Sequence, residues 1–172
     1  MPNKDTFSIK PIGEIVDKYC TNGLNICDPF SNGKRRTPST VTNDLDTDKE
    51  SDYNLDALDF LKKMKSNFFD VVLFDPPYSP RQVSEVYKKL GHSVNMQTTQ
   101  SSYWGNMKKE ISRIIKDGGV VITCGWNSGG IGKTLGFDIE EILLVAHGGW
   151  HNDTIITVEK KIIKSQLEFN FK

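Results

Sequence analysis

The run Phe69-Asp70-Val71-Val72-Leu73-Phe74-Asp75-Pro76-Pro77-Tyr78 carries more structural information than any other stretch of the chain. Six mostly apolar, partly β-branched residues stopped by Asp-Pro-Pro read as a buried strand that ends in a stiff loop, because a proline cannot donate to a sheet. Upstream, Leu55, Leu58, Leu61 and Met64 recur at i, i+3 with lysines between them. Residues 55–65 are therefore expected to form a helix feeding into that strand. Earlier still, 24–27 and 39–42 read as short strands, and 7–20 as an amphipathic helix with Ile12, Ile15, Val16 and Tyr19 on one face. Downstream, a helix over 103–116 capped by Asp117-Gly118-Gly119 leads into a strand at 120–124. Strands at 139–146 and 153–161, joined by Gly148-Gly149-Trp150-His151-Asn152, should form a C-terminal antiparallel hairpin. Strands alternating with helices predict an α/β domain with a mostly parallel sheet.

The chain has 172 residues, close to one ordinary domain. The expected division is a domain over 1–161, containing a polar loop at 79–102, and a tail at 162–172. Twenty-two basic residues balance twenty-two acidic ones, so any contact with a polyanion must come from local clusters. No apolar run approaches the roughly 20 residues of a membrane span, and the polar N-terminus lacks a signal-peptide pattern. A cytoplasmic protein with no membrane partner is expected. Cys20, Cys27 and Cys124 suit reduced thiols there, and their spacing, with His92, His147 and His151 scattered, predicts no metal site.

Doubly wound sheets bind ligands outside the carboxyl ends of their strands. Asp28, Asp44 and Asp75 each fall at the predicted carboxyl end of a different strand. Aspartate is also a common turn residue, but three such acids in one alternating pattern point to a shared site.

Asp75-Pro76-Pro77-Tyr78 resembles the D-P-P-Y motif of S-adenosylmethionine-dependent amino methyltransferases, especially those modifying N6 of adenine in DNA. The resemblance implies a Rossmann-like class I methyltransferase fold with a doubly wound seven-stranded sheet. It also implies S-adenosyl-L-methionine as cofactor and Asp75, Pro76, Pro77 and Tyr78 as the catalytic loop. In that family the acid and the first proline carbonyl accept hydrogen bonds from the exocyclic amine, and the aromatic ring stacks on a flipped base. The residue types suit this chemistry. A ring-conjugated amine is a poor nucleophile, and acceptors aimed at its hydrogens favour the pyramidal, nucleophilic form. Prolines stiffen the loop that aims the carbonyl, and an extruded base must be held by stacking.

The rest of the resemblance follows in chain order. Asp28-Pro29-Phe30-Ser31-Asn32-Gly33 is similar to the family's D-P-F-x-x-G cofactor loop, although Lys34-Arg35-Arg36 replaces the usual glycine-rich continuation. This implies cofactor contacts for Asp28, Pro29, Phe30, Ser31 and Gly33. Asp44 falls where the family places an acid on the ribose hydroxyls. Asp56-Ala57-Leu58 resembles a segment whose acid reaches the cofactor's adenine amino group. Residues Phe7 to Lys10 resemble the N-terminal motif that closes over the methionine moiety, but their spacing favours an ordinary amphipathic helix covering the sheet.

Nucleic-acid contacts are assigned to Lys34, Arg35, Arg36 and Arg81, with further lysines at 88–89 and 108–109; a solvated surface is the alternative reading for each cluster. Tyr103 and Trp104 can stack on nucleic acid or open a helix and pack inward. Trp150 and His151 on the hairpin tip offer another contact. Gly129-Gly130-Ile131-Gly132-Lys133 lacks the spacing of a phosphate loop, which excludes triphosphate hydrolysis. The tail Gln166-Leu167-Glu168-Phe169-Asn170-Phe171 resembles peptides that dock to a bacterial sliding clamp through a glutamine and two apolar anchors, here Gln166, Phe169 and Phe171. Only about 25 residues between Tyr78 and Tyr103 could read a target sequence, so a second subunit or homodimer is a further expected source of specificity. The sequence predicts an adenine-N6 DNA methyltransferase. An RNA adenine or guanine amino methyltransferase, or a non-catalytic binding subunit of the same fold, are the alternatives.

Overall fold

The computed structural model describes residues 5–93, 101–149 and 152–163. A short 3-10 turn, Thr6–Ser8, precedes helix α1, Lys10–Tyr19. Pro11 opens α1, and Ile12, Ile15 and Val16 form its buried stripe. Strands β1 (Ile26–Asp28) and β2 (Thr40–Thr42) follow, then α2 (Ala57–Lys63), whose N-cap Asp56 accepts from the Leu58 amide. Strand β3 is Phe69–Phe74, as the apolar run predicts.

Next comes α3, Pro80–Lys89, within the stretch expected to be a polar loop. Ser79 caps it, Pro80 occupies its first turn, and Val83 and Tyr87 are buried at i, i+4. Helix α4 (Ser101–Ile114) leads without a break into β4 (Ile115–Gly125), and β5 (Phe137–Val145) and β6 (Thr154–Lys161) complete the sheet.

The strand order is β2-β1-β3-β4-β6-β5. Pairs β1–β2, β1–β3 and β3–β4 are parallel, and β6 runs antiparallel to both β4 and β5. The described residues thus form a mixed sheet of six strands rather than the seven implied by the family resemblance. The reason lies between β2 and α2. A parallel crossover needs a dozen or more residues before the next strand begins, and residues 43–56 are too few for a helix and a strand. A single parallel bridge, Asn43 to Tyr53, stands at that edge instead.

Side chains alternate across β3 from Val71 to Phe74, past a register irregularity after Phe69, and bury both sheet faces. Phe69, Val72 and Phe74 pack with Phe60 and Leu61 of α2 and Met107, Ile111 and Ile114 of α4. Val71 and Leu73 pack on the other face with Ile12, Ile15 and Val16 of α1. Helices on both faces leave the carboxyl ends of β1, β2 and β3 as a row of loops. No helix among the described residues is long and apolar enough to cross a membrane.

Candidate active site

The loops after β1, β2 and β3 line one cleft of about 770 Å³, with α3 as a side wall. Asp28 lies beneath it, 1% exposed, and its Oδ1 accepts from the Phe30 amide at 3.1 Å. Its pKa is raised to about 7, chiefly by burial; the Phe30 amide and Arg36 oppose the rise, and the nearby Asp75 and Asp44 carboxylates add to it. Pro29 and Phe30 line the cleft. Ser31 is buried, with its hydroxyl on the Asn43 carbonyl at 3.1 Å. Asn32 and Gly33 take successive left-handed conformations, φ 49° and 71°, the second being where glycine is the natural residue.

Asn43, buried after β2, ties the loop after β1 to the far end of its own loop. Its Nδ2 donates to the carbonyls of Pro29 (3.1 Å) and Leu55 (3.0 Å), and its Oδ1 accepts from the Leu55 amide (3.1 Å). Asp44 is half-buried on the cleft wall, and burial raises its pKa against amide hydrogen bonds from Asp46 and Asn32. Ala57 also lines the cleft, whereas Asp56 turns beneath Tyr87 and Tyr103. Both tyrosine hydroxyls donate to Asp56 Oδ2, that of Tyr103 at 3.0 Å. Burial holds both phenols protonated well above their ordinary range.

The basic run after Gly33 is engaged by the chain itself. Lys34 and Arg36 pair with Asp5, Arg36 at 3.5 Å, and Arg36 lies 5.2 Å over the Phe7 ring. This draws the Thr6–Ser8 turn over the β1 loop, so that Thr6 and Ile9 line the cleft. Arg35 pairs with Asp52 at 2.6 Å and Arg81 with Glu85 at 2.8 Å. Lys10 is exposed at the start of α1 and is not part of the cleft lining.

Asp75 sits at the mouth of β3, open in part to the cleft. Burial raises its pKa, opposed by hydrogen bonds from the Thr6 hydroxyl, the Tyr78 hydroxyl and the Cys124 thiol. The Tyr78 bond to Asp75 Oδ1 is 2.6 Å long. Pro76 is buried on the cleft floor, yet its carbonyl makes no hydrogen bond among the described residues. The neighbouring Pro77 carbonyl accepts from Trp104 Nε1 at 2.9 Å, and Gln82 Oε1 accepts from the Tyr78 amide at 2.6 Å. The Tyr78 ring meets Trp126 edge-on at 5.6 Å.

Asp28, Asp44 and Asp75 are therefore brought together, with Pro29, Phe30, Ala57, Pro76, Pro77 and Tyr78 around them. Tyr103 is buried and Trp104 half-buried. Gln82, Asn43 and Trp126 are site residues that the sequence reading did not single out. Gln82 had a local signal in its position three residues after the Ser79 cap; the other two act through contacts distant in sequence. Trp150, His151, residues 94–100 of the expected loop, and Gln166, Phe169 and Phe171 of the tail lie outside the described residues.

The fold is shared with solved proteins. Over 90% of this chain and 78% of theirs, it superposes with a TM-score of 0.61 and 10% identity on 1,6-didemethyltoxoflavin-N1-methyltransferase of Burkholderia thailandensis, solved with S-adenosylhomocysteine. This is the Rossmann-like methyltransferase fold. N-methyltransferase NodS of Bradyrhizobium japonicum, also solved with S-adenosylhomocysteine, matches at 0.58 and 9% identity over 92% of this chain and 89% of that one. TrmN of Thermus thermophilus matches at 0.55 and 14% identity over 88% of this chain, which spans only 48% of that protein. No protein-family model and no curated protein matches the sequence.

Proposed function

We propose that this chain transfers a methyl group from S-adenosylmethionine to the exocyclic N6 amine of adenine in DNA. The observation that carries the reading is the free Pro76 carbonyl beside Asp75 on the floor of a cleft shared with the β1 and β2 loops. A carbonyl at the cleft with no protein donor has its lone pairs open to a ligand's donor, and an amine with two hydrogens can serve both acceptors.

The residues present fit the cofactor. Asp44 offers a carboxylate edge for ribose hydroxyls, and Phe30, Leu55, Ala57 and Val83 give apolar wall for a purine. When bound, S-adenosylmethionine supplies a methyl group activated by its sulfonium. Asp75 and the Pro76 carbonyl would hold the amine hydrogens and turn the nitrogen lone pair towards that methyl. Asp75, whose pKa burial raises, would be suited to take up the proton that the amine gives up on methylation. The Tyr78 hydroxyl must first leave Asp75, which frees its ring to face the base.

Lys88, Lys89, Lys108 and Lys109 have no ion pair among the described residues and lie on α3 and α4, the helices that hold the catalytic loop. They supply phosphate contacts that the internally paired Arg35 and Arg81 do not. Labelled cofactor offered with equal amounts of unmethylated DNA and RNA tests the reading. Label in DNA that disappears with Asp75→Ala is expected. Label in RNA alone would replace the substrate, and none in either polymer would overturn the enzymatic reading.

A further inference from the structure

The backbone of the catalytic loop has few hydrogen bonds of its own. Pro76 and Pro77 have no amide hydrogens, and no backbone–backbone hydrogen bond among the described residues involves Pro76, Pro77 or Tyr78. The ring closures fix φ at both prolines, but their ψ angles stay free to rotate. A change in ψ at Pro77 swings the following peptide, and a change at Pro76 turns the carbonyl that is expected to receive the amine.

Two side chains close this freedom, and both grip the same peptide unit. The Pro77 carbonyl accepts from Trp104 Nε1 at 2.9 Å, while the amide of the same Pro77–Tyr78 peptide donates to Gln82 Oε1 at 2.6 Å. Trp104 stands near the start of α4, where it packs against the core cluster and its ring meets that of Tyr103 edge-on at 5.7 Å. Gln82 stands in the first turn of α3, where Ser79 caps the helix. The peptide plane is thus held at its oxygen by a side chain of one helix and at its nitrogen by a side chain of another.

We propose that Gln82 and Trp104 are positioning residues. They fix the plane of the Pro77–Tyr78 peptide, and through it the direction of the Pro76 carbonyl and of the Tyr78 side chain. The proposal rests on the methyl-transfer reading for its catalytic consequence but not for its structural one. Neither side chain needs to touch the cofactor or the base. Loss of either hydrogen bond should lower turnover while leaving cofactor binding nearly unchanged. Displacement by a fraction of an ångström at a reacting group costs on the order of 10- to 100-fold in rate.

The test uses the full chain with Trp104→Phe, Gln82→Met and Gln82→Glu, the last keeping a carboxyl oxygen where the amide oxygen was. Expected results are a kcat about 10- to 100-fold lower for Trp104→Phe and Gln82→Met. Their KM for S-adenosylmethionine should stay within about twofold of wild type, with recovery in Gln82→Glu. The Tyr78 amide, followed by hydrogen exchange in nuclear magnetic resonance, should exchange about tenfold faster in Gln82→Met than in Gln82→Glu. Unchanged kcat together with unchanged Tyr78 exchange would overturn the proposal. A lower melting temperature with unchanged kcat in the folded fraction would also overturn it, since that describes packing alone. An inactive wild-type protein whose Tyr78 amide still loses protection in Gln82→Met would uphold the peptide grip and sink the methyl-transfer reading instead.

Discussion

Replacing Asp28 with asparagine should stabilise the protein, and by an amount that depends on pH. The carboxyl is 1% exposed and its pKa stands at about 7, against 3.8 for the free side chain. Because the folded value is raised, the folded state keeps this proton to higher pH than the unfolded chain does. Wild-type stability is therefore eroded as pH climbs from about 4 to about 7. A lift of roughly three units at about 1.4 kcal/mol each sets a ceiling near 4 kcal/mol, and residual structure in the unfolded chain brings the expected gain to about 2–4 kcal/mol. Asparagine keeps the Oδ1 that accepts from the Phe30 amide at 3.1 Å, so the loop geometry should survive. Urea unfolding at pH 4, 5.5, 7 and 8 reads the effect. The difference between variant and wild type should be near zero at pH 4, grow through pH 5.5 and level off above pH 7. A difference independent of pH, or a variant less stable than wild type at pH 8, would refute the assignment of Asp28 as a buried acid held close to neutrality.

Tyr78→Phe removes the hydroxyl that occupies Asp75 at 2.6 Å but keeps the ring, so kcat/KM should stay within about threefold of wild type. Tyr78→Ala should lose about 100-fold; equal losses in both variants would show that the hydroxyl itself takes part. The rate of transfer should rise with pH as Asp75 ionises, with a midpoint above the ordinary carboxylate value near 4, because burial raises its pKa. A pH–rate profile with its midpoint at or below 4 contradicts this. Gly130→Ala should lower the melting temperature by several degrees. Gly130 has φ 45°, and a Cβ there would fall 2.1 Å from the Glu159 carboxylate, which accepts from the Gly132 amide at 2.9 Å. An unchanged melting temperature would show that the loop relaxes freely.

Much of the architecture is legible where one local signal dominates. β3 is bounded by its own apolar run and by Asp75-Pro76-Pro77, and α2 by the Asp56 cap. β4 is longer than its apolar core suggests because Ile115 already pairs with Phe69 before a register shift at Lys116–Gly119, where Gly118 has φ 76°. The Asp117-Gly118-Gly119 signal marks that irregularity within the strand rather than a helix end. α3 was hidden by the polarity of its surface, although Ser79-Pro80 and the spacing of Val83, Val86, Tyr87 and Leu90 carry an ordinary helix signature. The seventh strand came from family resemblance alone, and nothing in residues 43–56 encodes it.

The site divides in the same way. Asp28, Asp44 and Asp75 could be found because strand ends are where such folds place their chemistry. The engagement of Lys34 and Arg36 by Asp5, and the closing of Tyr87 and Tyr103 on Asp56, are contacts between residues about 30 to 47 positions apart. Periodicity and motif spacing contain no information about such pairings. The same holds for Trp104, whose indole reaches the Pro77 carbonyl from 27 residues away.

The central claim is that Asp75 and the Pro76 carbonyl present an adenine amine to a methyl donor in the shared cleft. Nucleoside mass spectrometry of unmethylated DNA incubated with S-adenosylmethionine and the protein tests it most directly, beside the Asp75→Ala variant. N6-methyladenine formed by the wild type and absent with the variant is the predicted result. Methylation at another atom, or N6-methyladenine that persists in Asp75→Ala, would contradict the account.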